Sequence, residues 1–148
     1  MSATTGSPPW QPIPATHIDL LQRPVCGVLT TLDAHGGPRS RLVWVDTDGE
    51  HALVAITLER LSGRDVTRDP RVSLLVVDPD DAGRFLQVRG DMELVVDGAL
   101  DHLDRLTRRF TTHPRFYGFV HPEERCTRET RVIGRIRARR VTLDAIHA

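Results

Sequence analysis

The residues of this chain with most capacity for chemistry gather in one run, Arg60-Leu-Ser-Gly-Arg64-Asp-Val-Thr-Arg68-Asp-Pro-Arg71. Read as a short helix opening directly after a strand, the run places Arg60, Ser62 and Arg64 at the helix N-terminus. Free first-turn amides, the positive end of the helix dipole and guanidinium forks together suit a phosphate group. The other reading of the same residues is a solvated basic helix whose arginines pair with Glu59, Asp65 and Asp69. Arg41 and Trp44 stand near the start of an earlier strand, where an aromatic and an Arg suit a planar charged ligand; a core Trp is equally consistent. In a second basic run, Arg135, Arg137 and Arg139 alternate with Val132, Gly134, Ile136 and Ala138. That is the pattern of any half-buried strand, and no aromatic stacking platform accompanies it.

Other chemistries lack their residues. There is no GxSxG elbow, no HExxH, no GxxxxGK[ST] and no GxGxxG after a strand. The seven histidines (His17, His35, His51, His102, His113, His121, His147) never fall at metal-ligand spacing, and most are expected in loops or on exposed faces. Cys26 sits in an apolar strand and reads as a small buried hydrophobe, while Cys126 lies in a charged loop. With no CxxC pair, the two argue against a disulfide scaffold or a cysteine zinc site and for a reducing cytoplasm. All 20 basic residues are Arg, so no Schiff-base lysine exists and anions must be held by guanidinium forks or backbone amides. Those 20 are balanced by 20 acidic residues, which leaves no long-range field to gather nucleic acid. No signal peptide opens the sequence, and no run approaches the roughly eighteen apolar residues of a membrane span.

These residues must be held by a single domain, the natural organisation for 148 residues. Residues 1–14 read as a flexible Pro-rich arm, and 15–148 as the folded domain. Ala15 to Arg23 predicts a short helix stopped by Pro24. The period then changes to two. Strands are expected at Val25–Leu32, Arg39–Asp46 and His51–Leu58, joined by Gly-containing turns at 33–38 and Asp48-Gly49. The Glu59–Arg68 helix follows, then strands at Arg71–Val77 and Arg84–Val96, the second bent at Gly90. Asp97 is expected to cap a helix from Gly98 to Thr111. Its apolar stripe is Leu100, Leu103, Leu106 and Phe110, with Asp101, Asp104, Arg105, Arg108 and Arg109 facing water. After a loop at 113–128, Arg131–Leu143 closes the set. Six strands with one longer helix inserted late predict a mainly β fold, a closed antiparallel barrel with peripheral helices.

The order of segments resembles the pyridoxamine 5′-phosphate oxidase-like split barrels, and most closely their small deazaflavin-dependent branch, which uses coenzyme F420. Three blocks carry the resemblance: the opening hairpin from Gly27 to Val45, the Arg64-to-Pro79 passage containing Arg-Asp-Pro-Arg, and the strand Phe85-Leu-Gln-Val-Arg-Gly-Asp-Met-Glu-Leu94. With the Asp97–Phe110 helix and the last strand, it spans about Leu20 to Leu143. The resemblance implies a six-stranded Greek-key split barrel and a homodimer with cofactor sites built from both chains. It places the cofactor ring near Arg41, Val43, Trp44, Ala55, Ile56 and Thr57, and the phosphate at Arg60, Ser62 and Arg64. The family usually has Lys where Ser62 stands and Asn where Asp65 stands, so a positive charge is lost and a negative one gained; Arg60 or Arg68 would compensate. The activity implied is hydride transfer from coenzyme F420 to a small or planar organic acceptor. The alternatives are an FMN flavoprotein of the oxidase type and a non-catalytic cofactor- or haem-binding barrel.

Overall fold

A computed structural model describes residues 10–147. Period-two alternation builds its frame. The strands β1 (Cys26–Leu32), β2 (Pro38–Thr47), β3 (Ala52–Thr57), β4 (Arg71–Val77), β5 (Phe85–Val95) and β6 (Arg131–Leu143) close an antiparallel barrel in the order β1-β2-β3-β6-β5-β4. The tight turns form where Asp side chains replace missing backbone partners. Asp33 Oδ1 accepts from the amides of His35 and Gly37, both at 2.9 Å, and Asp48 Oδ1 accepts from those of Glu50 and His51. One face of each strand points inward, and Leu29, Val45, Val54, Leu74, Leu86, Val88 and Ile136 form the fully buried core.

The chain leaves β3 on one side of the barrel and re-enters as β4 beside β1, and the connection carries helix α1 (Leu61–Arg68). That jump lays α1 against β1 and β3, which brings the arginine-rich run onto the barrel. The second helix, α2 (Ala99–Phe110), packs across β2, β3 and β6. The expected bend at Gly90 is a register shift between Arg89 and Gly90 against β6. A Cβ at Gly90 would stand 1.9 Å from the carbonyl oxygen of Arg137, so only glycine permits the close approach.

Several expectations need correction. Asp97 does not cap α2; the N-cap is Gly98, at φ 76°, with no side-chain cap. Leu100 is 45% exposed, and the buried face of α2 is Ala99, His102, Leu103, Leu106 and Thr107. Arg105 and Arg109 do not simply face water; both reach the buried carboxylate of Asp46, at 2.6 and 2.9 Å. A charge buried on β2 draws them inward. Two histidines are also interior: His102 bonds Asp46, and His17 bonds Asp144 at 2.8 Å. The first helix is only a 3-10 turn, Ile18–Leu21.

Most of the expected N-terminal arm lies outside the described residues, and its last part is docked. Beyond Ile136, β6 outruns β3, which leaves carbonyls free on that edge. The amide of Gln11 donates to Ala138 O at 2.6 Å, the Trp10 ring lies against Arg137 and Arg139, and Ile13 is buried. Among the described residues no helix is long and apolar enough to cross a membrane.

Candidate functional site

Helix α1 sits as close to β3 as it does because residue 63 has no side chain. A Cβ there would stand 2.3 Å from Thr57 O and 2.5 Å from the Cα of Leu58, both backbone atoms that cannot step aside. The Gly63→Ala variant is therefore expected to push α1 off the barrel. The expected loss in urea unfolding is about 1–3 kcal/mol, the usual cost of overpacking, accompanied by distortion of the adjoining cavity.

That cavity, about 350 Å³, opens between α1, the outer side of β2 and β3, and the loop after α2. Its volume suits a small-molecule site. From β2 it takes Arg41, Val43 and Trp44, and from β3 Ala55, Ile56 and Thr57. From the start of α1 it takes Arg60 and Ser62. Eight of the ten residues singled out in the sequence thus share one cavity. Arg64 and Arg68 are not part of its lining: both are exposed, and Arg68 is turned toward Asp65, 3.6 Å away.

Asp65 shows what became of the expected negative charge near a phosphate. It is 1% exposed and faces the barrel, accepting from Thr31 Oγ1 at 2.7 Å and from Arg39 Nε at 2.9 Å. Burial raises its pKa, but the bonds from Thr31 and Arg39 outweigh burial and hold the carboxyl below its ordinary value. Its charge is already spent on Arg39 and Arg68. Arg60 pairs with Glu129 at 3.2 Å and not with Glu59, whose carboxylate accepts from the Thr130 amide. The solvated-helix reading therefore describes Arg68 with Asp65 and Arg71 with Asp69, whereas Ser62 is 6% exposed with no hydrogen-bond partner for its hydroxyl among the described residues.

The remaining wall was not read from the sequence. Cys26 lines the cavity and is exposed, because the outward side of β1 faces the cavity mouth and not the core. Leu103 of α2, the loop residues Phe116, Val120 and His121, Arg131 at the start of β6 and Leu42 of β2 complete it. Phe116 organises this wall. Its ring stands edge-on to Trp44, Tyr117 and His121, and the Arg131 guanidinium lies 4.7 Å over its centre. Trp44 in turn stacks on Phe110, with centroids 5.3 Å apart. The loop's aromatic cluster, Phe116, Tyr117 and Phe119, is the signal that could have marked it.

Behind the wall, Arg131 Nε donates to the Tyr117 hydroxyl at 2.9 Å, and that hydroxyl donates to Glu129 at 2.6 Å. Burial raises the Tyr117 pKa. For Glu129 burial also pushes upward, but the Tyr117 hydroxyl and the charges of Arg131 and Arg60 prevail and keep the carboxylate ionised. Burial, then the charges of Arg125 and Arg60, lowers the pKa of His121 and favours its neutral imidazole.

Every charged residue in the lining is an arginine: Arg41, Arg60 and Arg131. Two buried donors, Arg41 Nε and Ser62 Oγ, have no partner among the described residues. A buried polar atom without a partner costs roughly 1–3 kcal/mol, which an arriving acceptor relieves. Together with the flat apolar and aromatic walls, these features fit a planar ligand that carries negative charge. Among the described residues no group of three or more His, Cys, Asp or Glu is placed to hold a metal ion.

Comparisons with known proteins agree with this geometry. The sequence profile of the pyridoxamine 5′-phosphate oxidase family matches residues 13–143. Among solved structures, the chain is similar to an F420 reductase at 30% identity, covering 88% of this chain and 98% of that one with a TM-score of 0.72. It also resembles a conserved hypothetical protein from Mycobacterium tuberculosis at 24% identity, covering 95% and 89% of the two chains with a TM-score of 0.66. A haem-binding protein from Mycobacterium smegmatis shares the fold at 18% identity, covering 88% and 54% with a TM-score of 0.56. No curated protein matches the chain. With its barrel, its α1 crossover and the profile match along nearly its whole length, this chain belongs to the pyridoxamine 5′-phosphate oxidase family.

Proposed function

We propose that the cavity holds the deazaflavin coenzyme F420 and that the protein is an oxidoreductase acting on a small or planar organic acceptor. The observation that carries this reading is the pair of partnerless donors, Ser62 Oγ and Arg41 Nε, in a cavity whose charged lining is arginine alone. The likeness to an F420 reductase at 30% identity supports the choice of cofactor over FMN. So does the succession of Arg60 and then exposed Arg64 along α1, which offers guanidinium groups to an anionic tail leaving the cavity.

When bound, the cofactor supplies the hydride. The protein's residues then have positioning roles. Ala55 and Leu103, with the strand segments at Val43 and Ile56 whose side chains belong to the barrel core, form an apolar floor that excludes water, and Trp44 and Phe116 wall the space above it. Arg60, Ser62 and the first-turn amides of α1, which have no intrahelical acceptor, hold the phosphate. Arg131, held rigid by Phe116 and Tyr117, meets negative charge that develops on the acceptor. Arg60→Ala is expected to weaken deazaflavin binding by about 1.5–3 kcal/mol, as for a lost charge-assisted bond, measured by fluorescence titration.

A homodimer completes this reading. Leu42, 73% exposed, borders the cavity and lies in register with outward-facing Val28 and Leu75 across β2, β1 and β4. A second copy would cover this apolar row and close the cavity mouth, and light scattering should return twice the chain mass. The activity is tested by mixing protein with chemically reduced F420 and a panel of quinones and conjugated enones without oxygen. Protein-dependent consumption of the reduced cofactor with at least one acceptor is expected. Binding without consumption for any acceptor would overturn catalysis and leave a cofactor carrier.

A further inference from the structure

A second cleft, which shares no residue with the first, lies at the irregularity between β5 and β6. Arg89 pairs with Arg140 and Gly90 with Ala138, so Arg139 is an extra residue on β6. A bulge re-aims its neighbours, and both Arg139 and Arg140 emerge into the same cleft as Arg71 and Arg89. Two of these arginines are neutralised: Arg71 by Asp69 at 2.7 Å and Arg139 by Asp91 at 2.8 Å. Arg89 and Arg140 have no carboxylate partner among the described residues, yet they stand directly opposite each other on adjacent strands. Like charges in that position destabilise a sheet unless something sits between them.

The floor beneath them carries a donor as well. Ser73, the cross-strand partner of Arg89 on β4, accepts from Gln87 Nε2 at 3.2 Å, which leaves its own hydroxyl hydrogen free. Thr30, beside Ser73 on β1, shares one bond with Ser40 Oγ at 2.8 Å, and one of those two hydroxyls keeps a free hydrogen. Two unpaired guanidinium groups over a hydroxyl row, in a cleft of about 880 Å³, have the chemistry of an oxyanion site.

We propose that this cleft binds the phosphate or carboxylate group of a small molecule between Arg89 and Arg140, with Ser73 donating from below. The site stands apart from the cavity beside α1 and does not depend on the cofactor assigned there. Inorganic phosphate, and citrate as the carboxylate counterpart, would be titrated at constant ionic strength against chloride, following the phosphorus line width and the Tm. Saturable binding of phosphate or citrate is expected, with affinity falling at least tenfold in the Arg89→Gln/Arg140→Gln variant while F420 titration is unchanged. Preference between the two probes tells a phosphorylated ligand from a carboxylated one. Equal responses in wild type and variant, or none in either, would overturn the site. So would loss of the dimer in the variant with no anion effect in the wild type, which would give the arginine pair to a contact between copies.

Discussion

Replacing Asp46 with alanine is expected to lower the unfolding free energy by about 3 kcal/mol, the lower end of the cost of breaking a buried ion pair. Asp46 is 2% exposed near the end of β2. It accepts from His102 Nε2 at 3.1 Å, Arg105 at 2.6 Å and Arg109 at 2.9 Å, all from α2. Without the carboxylate, the buried His102 would lose its partner, and the partly buried Arg109 would keep only the carbonyls of Leu21 and Val45. Arg105, 52% exposed, can turn to water, which keeps the cost at the lower end. Because Trp44 lies two residues before Asp46 and Leu103 one after His102, loosening this clamp should also loosen the cavity wall. Urea unfolding should show the lower midpoint without a change in slope.

The same clamp gives the protein an acid-sensitive stability. Burial raises the pKa of Asp46, but bonds from His102 and Arg105 and the charge of Arg109 overcome it and hold the carboxyl well below its ordinary range. A folded-state pKa below the unfolded one means that the stabilisation is complete above the unfolded value, near 4. It is lost as pH falls below that value toward the folded one. Wild-type stability should therefore decline between about pH 5 and pH 2, and the Asp46→Asn variant should show a flatter profile over that interval.

The second large effect concerns ligand binding. Ser62→Trp places an indole where a 6% exposed hydroxyl now meets the cavity. Residue 62 is fixed in the first turn of a helix that Gly63 pins to β3, so the new ring has little freedom except into the space the cofactor would use. Deazaflavin affinity should fall at least about a hundredfold, near 2.7 kcal/mol. The far-UV spectrum should be unchanged, because the cavity and not the core is filled. Ser62→Lys works in the opposite sense. It restores the charge usual at this position in the family, and tighter binding is expected.

The parts legible in the sequence were those governed by local rules. Alternation marked all six strands, Asp33-Ala-His-Gly and Asp48-Gly49 marked the turns, and Gly90 marked the irregularity. The β2, β3 and α1 contributions to the cavity were also legible, since each belongs to one continuous segment. What escaped needed the third dimension. Arg131 and Phe116 meet only because β6 pairs with β3 and the loop after α2 folds over their junction. Nothing local in Asp46 says that two arginines and a histidine on α2 converge on it from more than fifty residues away. Cys26 was misplaced because an apolar run does not say which of its two faces is inside. Arg68 stands outside the cavity lining because Asp65 turns toward Arg39 and draws Arg68 with it, which helical periodicity alone does not show.

The most direct test of the central claim is a fluorescence titration of the purified protein with coenzyme F420 and, separately, with FMN at moderate salt. Saturable binding of F420 at micromolar concentrations or tighter, weakened in Arg60→Ala and weakened at least about a hundredfold in Ser62→Trp, is the predicted result. Binding of FMN in preference to F420 would contradict the choice of cofactor, and binding of neither would contradict the proposal that this cavity serves redox chemistry.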